Sequence, residues 1–372
     1  MSEPPIEQRI AELLLGGKRR YTRAEVTERS GVPEERAREL WHSLGFAAVD
    51  DDERVFTDGD LTALRTANEL IQAGITDPAQ ATSMARMLGQ HMSRLAESQV
   101  AVLRDILLAN PELAADERQL IRFVERVVPD LEQLQNHVWR RHLAAYTGRA
   151  LLTQDEDLDG GSLVVGFADM VGFTTLTRRS TEDELVNVVD RFDALTAEVV
   201  AENHGRIVKM IGDEVLFVAD SPEHGAEIAL TLLERAEQDE ELPSLRAGLA
   251  YGRVLSRFGD IYGSVVNLAA RLTSIARPGS VLIDRSLAHA LEDSPDYTIR
   301  HRRPVSVRGY ARLRPSVLRR AGAEQPSLLE AAQSAAAELL GFAAEEPESN
   351  GTEVPHLPLV PDDEPRARGR RR

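Results

Sequence analysis

The stretches LVVGFADMVGFT (163–174) and GRIVKMIGDEVLF (205–217) each join an apolar run to a turn that contains glycine. An apolar run of this length predicts a buried strand. Each run delivers one carboxylate to its turn, Asp169 in the first stretch and Asp213 in the second. A strand end can present a carboxylate without burying it unpaired. An isolated aspartate there is usually a turn cap, but the pair is a candidate site for divalent cations, which prefer oxygen ligands.

A third stretch, FGDIYGSVVNLAARL (258–272), adds an acid, an amide and an arginine: Asp260, Asn267 and Arg271. Asn267 and Arg271 are four residues apart, so a helix would place them on one face. The arginine can offset negative charge that develops on a phosphate, and the asparagine can orient a ribose. Taken alone, an asparagine and an arginine at this spacing usually belong to a solvated helix face.

Lys209 and Asp260 form a candidate pair for reading a purine. The N1 atom of adenine accepts a hydrogen bond and its 6-amino group donates one, so a lysine donor and a carboxylate acceptor match adenine. Guanine reverses this pattern, because its N1 donates and its O6 accepts. The pair therefore favours adenine; the alternative is an unrelated surface ion pair.

The three stretches resemble, in residues and in order, the signature of class III nucleotidyl cyclases. The resemblance covers roughly residues 160–318. It implies an α+β fold with a ferredoxin-like catalytic domain, in agreement with the short β runs and amphipathic helices that alternate from residue 162. It also implies conversion of ATP to 3′,5′-cyclic AMP and pyrophosphate.

The resemblance implies a role for individual residues. Two Mg²⁺ or Mn²⁺ ions per active site are implied, at Asp169, Met170 and Asp213. The implied contacts with the base and the reacting centre are an adenine-selecting pair and a transition-state pair, namely Lys209 with Asp260 and Asn267 with Arg271.

Contacts with the substrate's phosphates are implied at five further positions: Gly172, Phe173, Thr174, Arg246 and Arg308. The first three open a helix, whose free N–H groups and positive dipole end suit a triphosphate, although an ordinary glycine turn has the same pattern. At Arg308 the family usually has lysine, so the charge is kept while the geometry changes. Both arginines could equally be surface residues.

Lys209 and Asp213 also bear on the oligomeric state. They lie four residues apart on one short hairpin, yet one would read the base while the other holds metal at the far end of ATP. A single copy cannot easily do both. The family solves this problem with a head-to-tail dimer, so the resemblance implies a homodimer with two sites.

Residues 1–146 predict an all-helical domain, because apolar residues recur at three- and four-residue spacing. Its later helices are expected near 79–109, 115–127 and 130–146. The segment resembles the N-terminal regulatory domain of soluble mycobacterial-type adenylyl cyclases, which restrains catalysis with pH or lipid as the signal. Its first helix pair, within residues 22–44, also resembles the helix-turn-helix of MerR-like regulators.

Nucleic acid is an unfavourable partner for this helix pair. Its second helix begins Glu34-Glu35, which would place two acids towards DNA phosphates, and the chain has a net charge of −17. The alternatives to an adenylate cyclase are a DNA-binding or signalling regulator with a nucleotide-sensing cyclase-like domain, and a guanylate cyclase.

His137 and His142 suggest the proton as a regulatory signal. They lie on the helix that runs into residues 147–161, an acid- and glycine-rich stretch that predicts a linker. Histidine ordinarily titrates near pH ~6.5, so protonation could change how this helix packs against the catalytic domain. The alternative is that both are solvated beside Arg140 and Arg141.

The catalytic domain is expected over residues 162–321, with one long helix over 172–203 and a disordered tail, rich in proline and acid, over 322–372. The chain has no cysteine, which excludes disulfides and thiolate chemistry. No window approaches ~18 uninterrupted apolar residues, so no transmembrane helix is expected. We therefore expect a cytoplasmic protein.

Overall fold

The computed structural model describes residues 4–47, 50–152, 161–257, 259–307 and 309–322. Outside these ranges lie Arg308, residues 153–160 of the expected linker and residues 323–372 of the expected tail. No helix within the described ranges is long and apolar enough to cross a membrane.

The N-terminal region, as described, is helical apart from one isolated bridge between Tyr21 and Phe56. Its helices are α1 (Ile6–Leu14), α2 (Arg23–Ser30), α3 (Glu34–Ser43), α4 (Asp58–Gln72), α5 (Pro78–Ala109), α6 (Pro111–Ala115) and α7 (Glu117–Leu152). Capping boxes at Thr22, Thr57 and Asp77 start α2, α4 and α5, because each side chain accepts a hydrogen bond from a backbone N–H that the helix leaves free.

Helix α7 runs without interruption through Pro129, so the expected break between residues 127 and 130 is wrong. Proline lacks an N–H and removes one bond of the helix ladder, at a cost of about 3 kcal/mol. A helix of 36 residues keeps the other bonds of its ladder, and one proline does not end it. The helix continues to Leu152, so the expected linker begins as helix.

The C-terminal region, as described, contains one large sheet and two small hairpins. The sheet contains β1 (Ser162–Met170), β2 (Arg206–Ile211), β3 (Glu214–Ala219), β4 (Leu245–Arg253), β7 (Val281–Ile283), β8 (Tyr297–His301) and β11 (Ser316–Arg320). The hairpins pair β5 (Leu255–Arg257) with β6 (Asp260–Tyr262) and β9 (Val305–Val307) with β10 (Tyr310–Leu313). The helices are α8 (Phe173–Arg179), α9 (Glu182–Glu202), α10 (Pro222–Glu237), α11 (Ser264–Ser274) and α12 (Arg285–Ala290).

The large sheet has the strand order β2-β3-β1-β4-β7-β11-β8. Its first four strands are antiparallel to one another, and β4 pairs in parallel with β7. Helix α9 lies between β1 and β2 along the chain, and α10 lies between β3 and β4. This β-α-β-β-α-β arrangement confirms the predicted ferredoxin-like fold.

Two parts of this region differ from the expectation. The single helix expected over 172–203 is wrong, because Thr181 caps a new helix, α9, with its own capping box. The strands after α12 were not predicted at all. They include β8 and β11, which extend the sheet at the edge opposite β2.

The two faces of the large sheet pack against different helices. Val164 of β1 belongs to the core with α9 and α10, whereas Val165 and Phe167 belong to the core with α11. Side chains alternate along a strand, so Asp169 lies on the α11 face. Gly248 of β4 lets α11 approach closely, since a Cβ there would stand 2.2 Å from the backbone N of Thr273.

Candidate active site

Asp169 lies near the end of β1, between two charged residues on the neighbouring strands. The sheet register pairs it with Glu214 of β3 and with Arg246 of β4. The Nε and Nη2 atoms of Arg246 both approach Asp169 Oδ2, at 2.7 and 2.6 Å. Cross-strand partners share a face of the sheet, so the three side chains form one row on the α11 face.

Asp213 joins this row from the turn between β2 and β3. Gly212 has a φ of 66°, which glycine adopts without strain, and this allows the tight turn. The main-chain carbonyl of Asp213 accepts a hydrogen bond of 3.0 Å from the N–H of Met170, which ties the turn to the end of β1. The fold therefore brings together the two aspartates that the sequence motifs single out.

The row holds three carboxylates and one arginine. Burial raises the pKa of Asp169; Arg246 opposes this effect, and the neighbouring Asp213 adds to it. Burial and the charges of Asp169 and Asp213 raise the pKa of Glu214 to about 7. A surplus of negative charge on oxygen ligands suits Mg²⁺ or Mn²⁺, so the residues present fit divalent cations.

Met170 can contribute only main-chain atoms to such a site, because its side chain is buried in the core beneath α9 and α10. Within the described ranges, no group of three or more histidine, cysteine, aspartate or glutamate side chains is arranged to hold a metal by itself. Mg²⁺ is usually bound through one or two carboxylates, with substrate phosphates among its other ligands. Asp169 and Asp213 match that smaller donor set.

Lys209 and Asp260 form an ion pair between β2 and the β5–β6 hairpin. Lys209 Nζ donates to Asp260 Oδ2 at 2.7 Å, and the N–H of Ile261 donates to Asp260 Oδ1 at 2.9 Å. Burial acts to raise the pKa of Asp260, but these two hydrogen bonds and the lysine charge outweigh it and hold the pKa below its usual value. The carboxylate is therefore ionised at neutral pH and remains an acceptor.

The choice of lysine at this position is informative because the chain otherwise uses arginine. Of its 44 basic residues, only Lys18 and Lys209 are lysine. A guanidinium presents a planar fork of donors, whereas an ammonium is a compact point charge that can direct one bond at a ring nitrogen. Lysine at 209 therefore indicates a requirement of the site rather than a general need for positive charge.

Asn267 and Arg271 lie on α11, one turn apart, on the same side of the sheet as the acidic row. In the part of the chain that the structure describes, neither side chain makes a hydrogen bond or an ion pair. A half-buried arginine without an acceptor is available to an anionic ligand.

The five expected phosphate contacts have different outcomes. Gly172, with a φ of 76°, precedes α8, Phe173 packs against the core beneath α9 and α10, and Thr174 is exposed. Arg246 has Asp169 as its partner, which makes it a support for that carboxylate. Arg308 lies outside the described residues.

Glu214 is the charged residue of this site that the sequence reasoning missed. A signal was present, because Glu214 follows Asp213 directly and alternates with the buried residues Leu216 and Val218 on the α11 face. From the sequence alone, such a glutamate would be interpreted as the solvated first residue of a strand. Its place in the site becomes evident only from the strand register that pairs it with Asp169.

The α11 face also exposes apolar side chains beside these groups. Ile211, Leu255 and Tyr262 are 45%, 54% and 51% exposed. Ile211 is two residues from Lys209 on β2, and the other two lie on the β5–β6 hairpin that carries Asp260. Apolar groups beside charged ones on one surface are typical of an interaction site.

Two family models match the chain. The adenylate and guanylate cyclase catalytic domain matches residues 159–319, and the adenylate cyclase regulatory domain matches residues 6–145. Together these matches cover both the helical region and the region with the large sheet.

Several relatives are similar over most of their length. An adenylate cyclase of Streptomyces coelicolor is 42% identical over 291 residues, which are 78% of this chain and 76% of the relative. An adenylate cyclase of Glutamicibacter nicotianae is 39% identical over 323 residues, 82% of this chain and 80% of the relative. A pH-sensitive adenylate cyclase of Mycobacterium tuberculosis is 32% identical over 300 residues, 76% of this chain and 73% of the relative.

Proposed function

The chain belongs to the adenylate cyclase family, and we propose that it converts ATP to 3′,5′-cyclic AMP and pyrophosphate in a site built by two copies of the chain. The observation that carries this proposal is the ion pair of Lys209 and Asp260, an oriented donor and acceptor on a half-exposed surface. Incubation of the purified chain with ATP and Mn²⁺ or Mg²⁺ tests it, with both products measured.

Adenine recognition follows from the hydrogen-bonding groups of this pair. Lys209 Nζ donates to the N1 atom of adenine, and a carboxylate oxygen of Asp260 accepts from the 6-amino group. In the absence of a base, the two side chains neutralise each other at 2.7 Å. The alternative of a guanylate cyclase is disfavoured. The N1 atom of guanine donates a hydrogen bond, and it would face Lys209, which is also a donor.

We predict that Lys209→Glu reduces turnover of ATP at least about a hundredfold, because a carboxylate cannot donate to N1 and a polar site rejects a base that leaves its groups unpaired. Adding Asp260→Ser supplies a donor for O6 of guanine, so the double variant should prefer GTP to ATP. The matched control is Lys18→Glu, at the other lysine, which should retain normal ATP turnover. Unchanged ATP turnover in Lys209→Glu would remove the pair from base recognition.

The acidic row holds the cations in this proposal. Asp169 and Asp213 serve as ligands, with two ions per site and Mg²⁺ or Mn²⁺ as the metal, and Arg246 fixes the position of the Asp169 carboxylate. When bound, the cations make the ribose 3′-hydroxyl more acidic and stabilise the leaving pyrophosphate. Asn267 orients the ribose, and Arg271 offsets the charge that develops at the α-phosphate.

The phosphate chain completes the substrate site. Gly172, Phe173 and Thr174 offer backbone N–H groups at the start of α8, next to Asp169 in sequence. Arg308, which lies between β9 and β10 in the sequence, adds a positive charge. We assign these contacts by resemblance to the family.

A homodimer follows from the position of Lys209 on the hairpin that ends in Asp213. Lys209 pairs with Leu216, two residues, or about 7 Å, along β3 from Glu214 in the acidic row. Both groups lie on the same face of one hairpin, so one ATP would have to fold back on itself to reach both. In a head-to-tail pair, one copy supplies the carboxylates and the other supplies Lys209, Asp260, Asn267 and Arg271. The exposed apolar residues of this face favour such a contact.

The alternative of a DNA-binding regulator rests on α2 and α3. The first turn of α3 carries Glu34 and Glu35, and Glu34 pairs with Arg38 of the same helix at 2.6 Å. A recognition helix would present its N-terminal residues to the bases and phosphates, where two acids are repelled. An electrophoretic shift with genomic fragments, run beside the cyclase assay, tests this alternative.

We propose the proton as a regulatory signal that acts through α7, with a lipid as the alternative. His142 lies 6.5 Å from Tyr146 between ring centres, and Tyr146 lines a cleft of about 450 Å³ with Leu163, Arg206 and Asp260 of the catalytic region. A change of charge at His142, which follows Arg140 and Arg141 on the same helix, would thus act within one helical turn of that cleft.

We predict that the full chain responds more steeply to mild acid than the His137→Gln/His142→Gln variant does. The measurement is ATP turnover between about pH 5.5 and 8, the range in which histidine ordinarily changes charge. His289→Gln, on the exposed side of α12, is the control and should keep the wild-type profile. Superimposable profiles for all three proteins would exclude the two histidines and leave a lipid or another ligand as the signal.

A further inference from the structure

Two adjacent arginines of β11 lie in contrasting surroundings. Arg320 faces α10, where it bonds to Glu227, Glu234 and Thr231 at distances of 2.6 to 3.0 Å. Arg319 points to the opposite face of the sheet, where its cross-strand partner is Thr298 of β8. Within the described ranges, the Arg319 side chain has no ion pair and no hydrogen-bond acceptor.

Arg319 belongs to a cluster of arginines without acids. Arg300 of β8 and Arg302, just beyond its end, join Arg319 in lining a cleft of about 480 Å³, together with Thr298, His301, Val317 and the acid-paired Arg320. Among the residues that the structure describes, no aspartate or glutamate lines this cleft. Among the described residues, neither Arg300 nor Arg302 has an ion pair or a side-chain acceptor. The three guanidinium groups therefore share a concave surface that no acidic residue of the described ranges lines.

The cluster is electrostatically unfavourable as it stands. Partial loss of water lowers the pKa of Arg302, and the positive charges of Arg277, Arg300 and Arg319 lower it further. The chain has 61 acidic residues against 44 basic ones, so acids are abundant in the sequence, yet none of those that the structure describes lines this cleft. Clusters of like charge without partners tend to occur at functional sites, where a bound ligand supplies the opposite charge.

We propose that this cleft binds a small anion that carries phosphoryl groups. Guanidinium groups bind phosphoryl oxygens through paired, charge-assisted hydrogen bonds, and three of them converge here. The cleft volume lies within the usual range for small-molecule sites and exceeds the needs of a single phosphate ion, so a diphosphate or a nucleotide is the better match. A nucleic acid polymer fits less well, because the net charge of −17 would repel it.

The cleft lies at the opposite edge of the sheet from Lys209, the residue proposed to read the base. Strand β8 is the edge strand of the sheet opposite β2, with five strands between them, so the cleft lies far from Lys209. Neighbouring strands are about 4.8 Å apart, which puts the two edges roughly 29 Å from each other. The inference rests on the arginine cluster alone and does not depend on the proposed cyclase activity.

The test is isothermal titration calorimetry of the full chain with sodium pyrophosphate in a buffer that contains EDTA. Without divalent cations, the carboxylates of Asp169, Asp213 and Glu214 repel this probe. We expect one site per chain, and binding at least about tenfold weaker in Arg300→Gln/Arg302→Gln, because two charge-assisted contacts are lost. The matched control is Arg191→Gln/Arg235→Gln, which removes the same charge from arginines paired with acids of α9 and of the segment after α10. It should bind pyrophosphate as the wild type does.

Thermal unfolding separates this role from a structural one. Without ligand, Arg302→Gln should unfold at the same temperature as the wild type or higher, because it relieves repulsion. Pyrophosphate should raise the unfolding temperature of the wild type more than that of the double variant. A ligand-free variant that unfolds several degrees lower would show that the arginines stabilise the fold, and would overturn the proposal.

Further binding results would also support or overturn the proposal. AMP that binds with the same dependence on Arg300 and Arg302 would support the proposal and identify a nucleotide as the source of the phosphoryl group. Equal pyrophosphate binding by wild type and both double variants, or none, would overturn it. Tighter binding of an RNA oligonucleotide, or loss of the dimer in sedimentation of Arg300→Gln/Arg302→Gln, would assign the cleft to a nucleic acid or to the second subunit instead.

Discussion

Replacement of Asp169 or Asp213 by alanine should reduce ATP turnover at least about a thousandfold, because each change removes a proposed cation ligand and with it the stabilisation of the leaving pyrophosphate. The fold should survive in both variants. Asp213 lies in an exposed turn whose main-chain bond to Met170 does not need the side chain. Asp169→Ala leaves Arg246 without its acceptor, but this arginine is partly exposed and can be solvated.

Asp169→Asn provides a sharper version of this experiment. An asparagine oxygen can still accept from Arg246, so the variant keeps the packing of the row while it removes the negative charge. Turnover close to that of Asp169→Ala would assign the loss to charge, and hence to cation binding. The control is Asp293→Ala, at an exposed acid of the same region, which should be as active as the wild type.

The measurements are formation of cyclic AMP and pyrophosphate at saturating Mn²⁺, beside circular dichroism and thermal unfolding of each variant. Near-normal turnover by either alanine variant would contradict the assignment of both aspartates to the cations. A loss of turnover accompanied by unfolding would be uninformative for Asp169→Ala, and for that reason Asp169→Asn is included.

Much of the site could be predicted because its residues sit in short motifs with local consequences. Asp169 lies near the end of an apolar strand, Asp213 occupies a glycine turn, and Asn267 and Arg271 are one helical turn apart. These placements depend on strand alternation, turn chemistry and helical period, which act over a few residues. Helix starts at Thr22, Thr57 and Asp77 were predictable for the same reason.

What could not be predicted depends on register between distant segments. Glu214 and Arg246 enter the site only because β3 and β4 pair with β1 in a register that sets both beside Asp169. A shift of one residue would turn either side chain to the other face. The role of Arg246 as a support for Asp169 therefore needed the sheet, whereas the resemblance to the family had implied a contact with phosphate.

The arginine cluster could not be predicted from the sequence for a related reason. Arg300 and Arg319 lie on two strands that were not predicted, Arg302 lies just beyond the end of one of them, and the sequence around them is rich in arginine throughout. Only the alternation along β11 shows that Arg320 meets acids while Arg319 does not. Pro129 is the opposite case. A proline is a strong local signal for the end of a helix, but α7 continues through it because the long helix keeps the other hydrogen bonds of its ladder.

Mixing inactive Asp169→Ala and Arg271→Ala chains should restore about a quarter of wild-type turnover per chain. Random exchange of subunits makes half of the dimers mixed, and each mixed head-to-tail dimer has one site with both lesions and one with neither. Each variant alone has the same lesion in both sites and stays inactive. The expected gain is therefore large against a background near zero.

A second mixture tests the geometry of the shared site more strictly. Asp169→Ala and Asp213→Ala both remove cation ligands, so in a mixed dimer each site lacks one of the two carboxylates. That mixture should stay inactive although its subunits exchange as freely as those of the first. Activity in the first mixture and none in the second would require Asp169 and Asp213 to come from one copy and Arg271 from the other. Inactivity of both mixtures, with exchange verified by mass-labelled subunits, would instead place a complete site within one chain. It would then require ATP to fold back over the hairpin that carries Lys209 and Asp213.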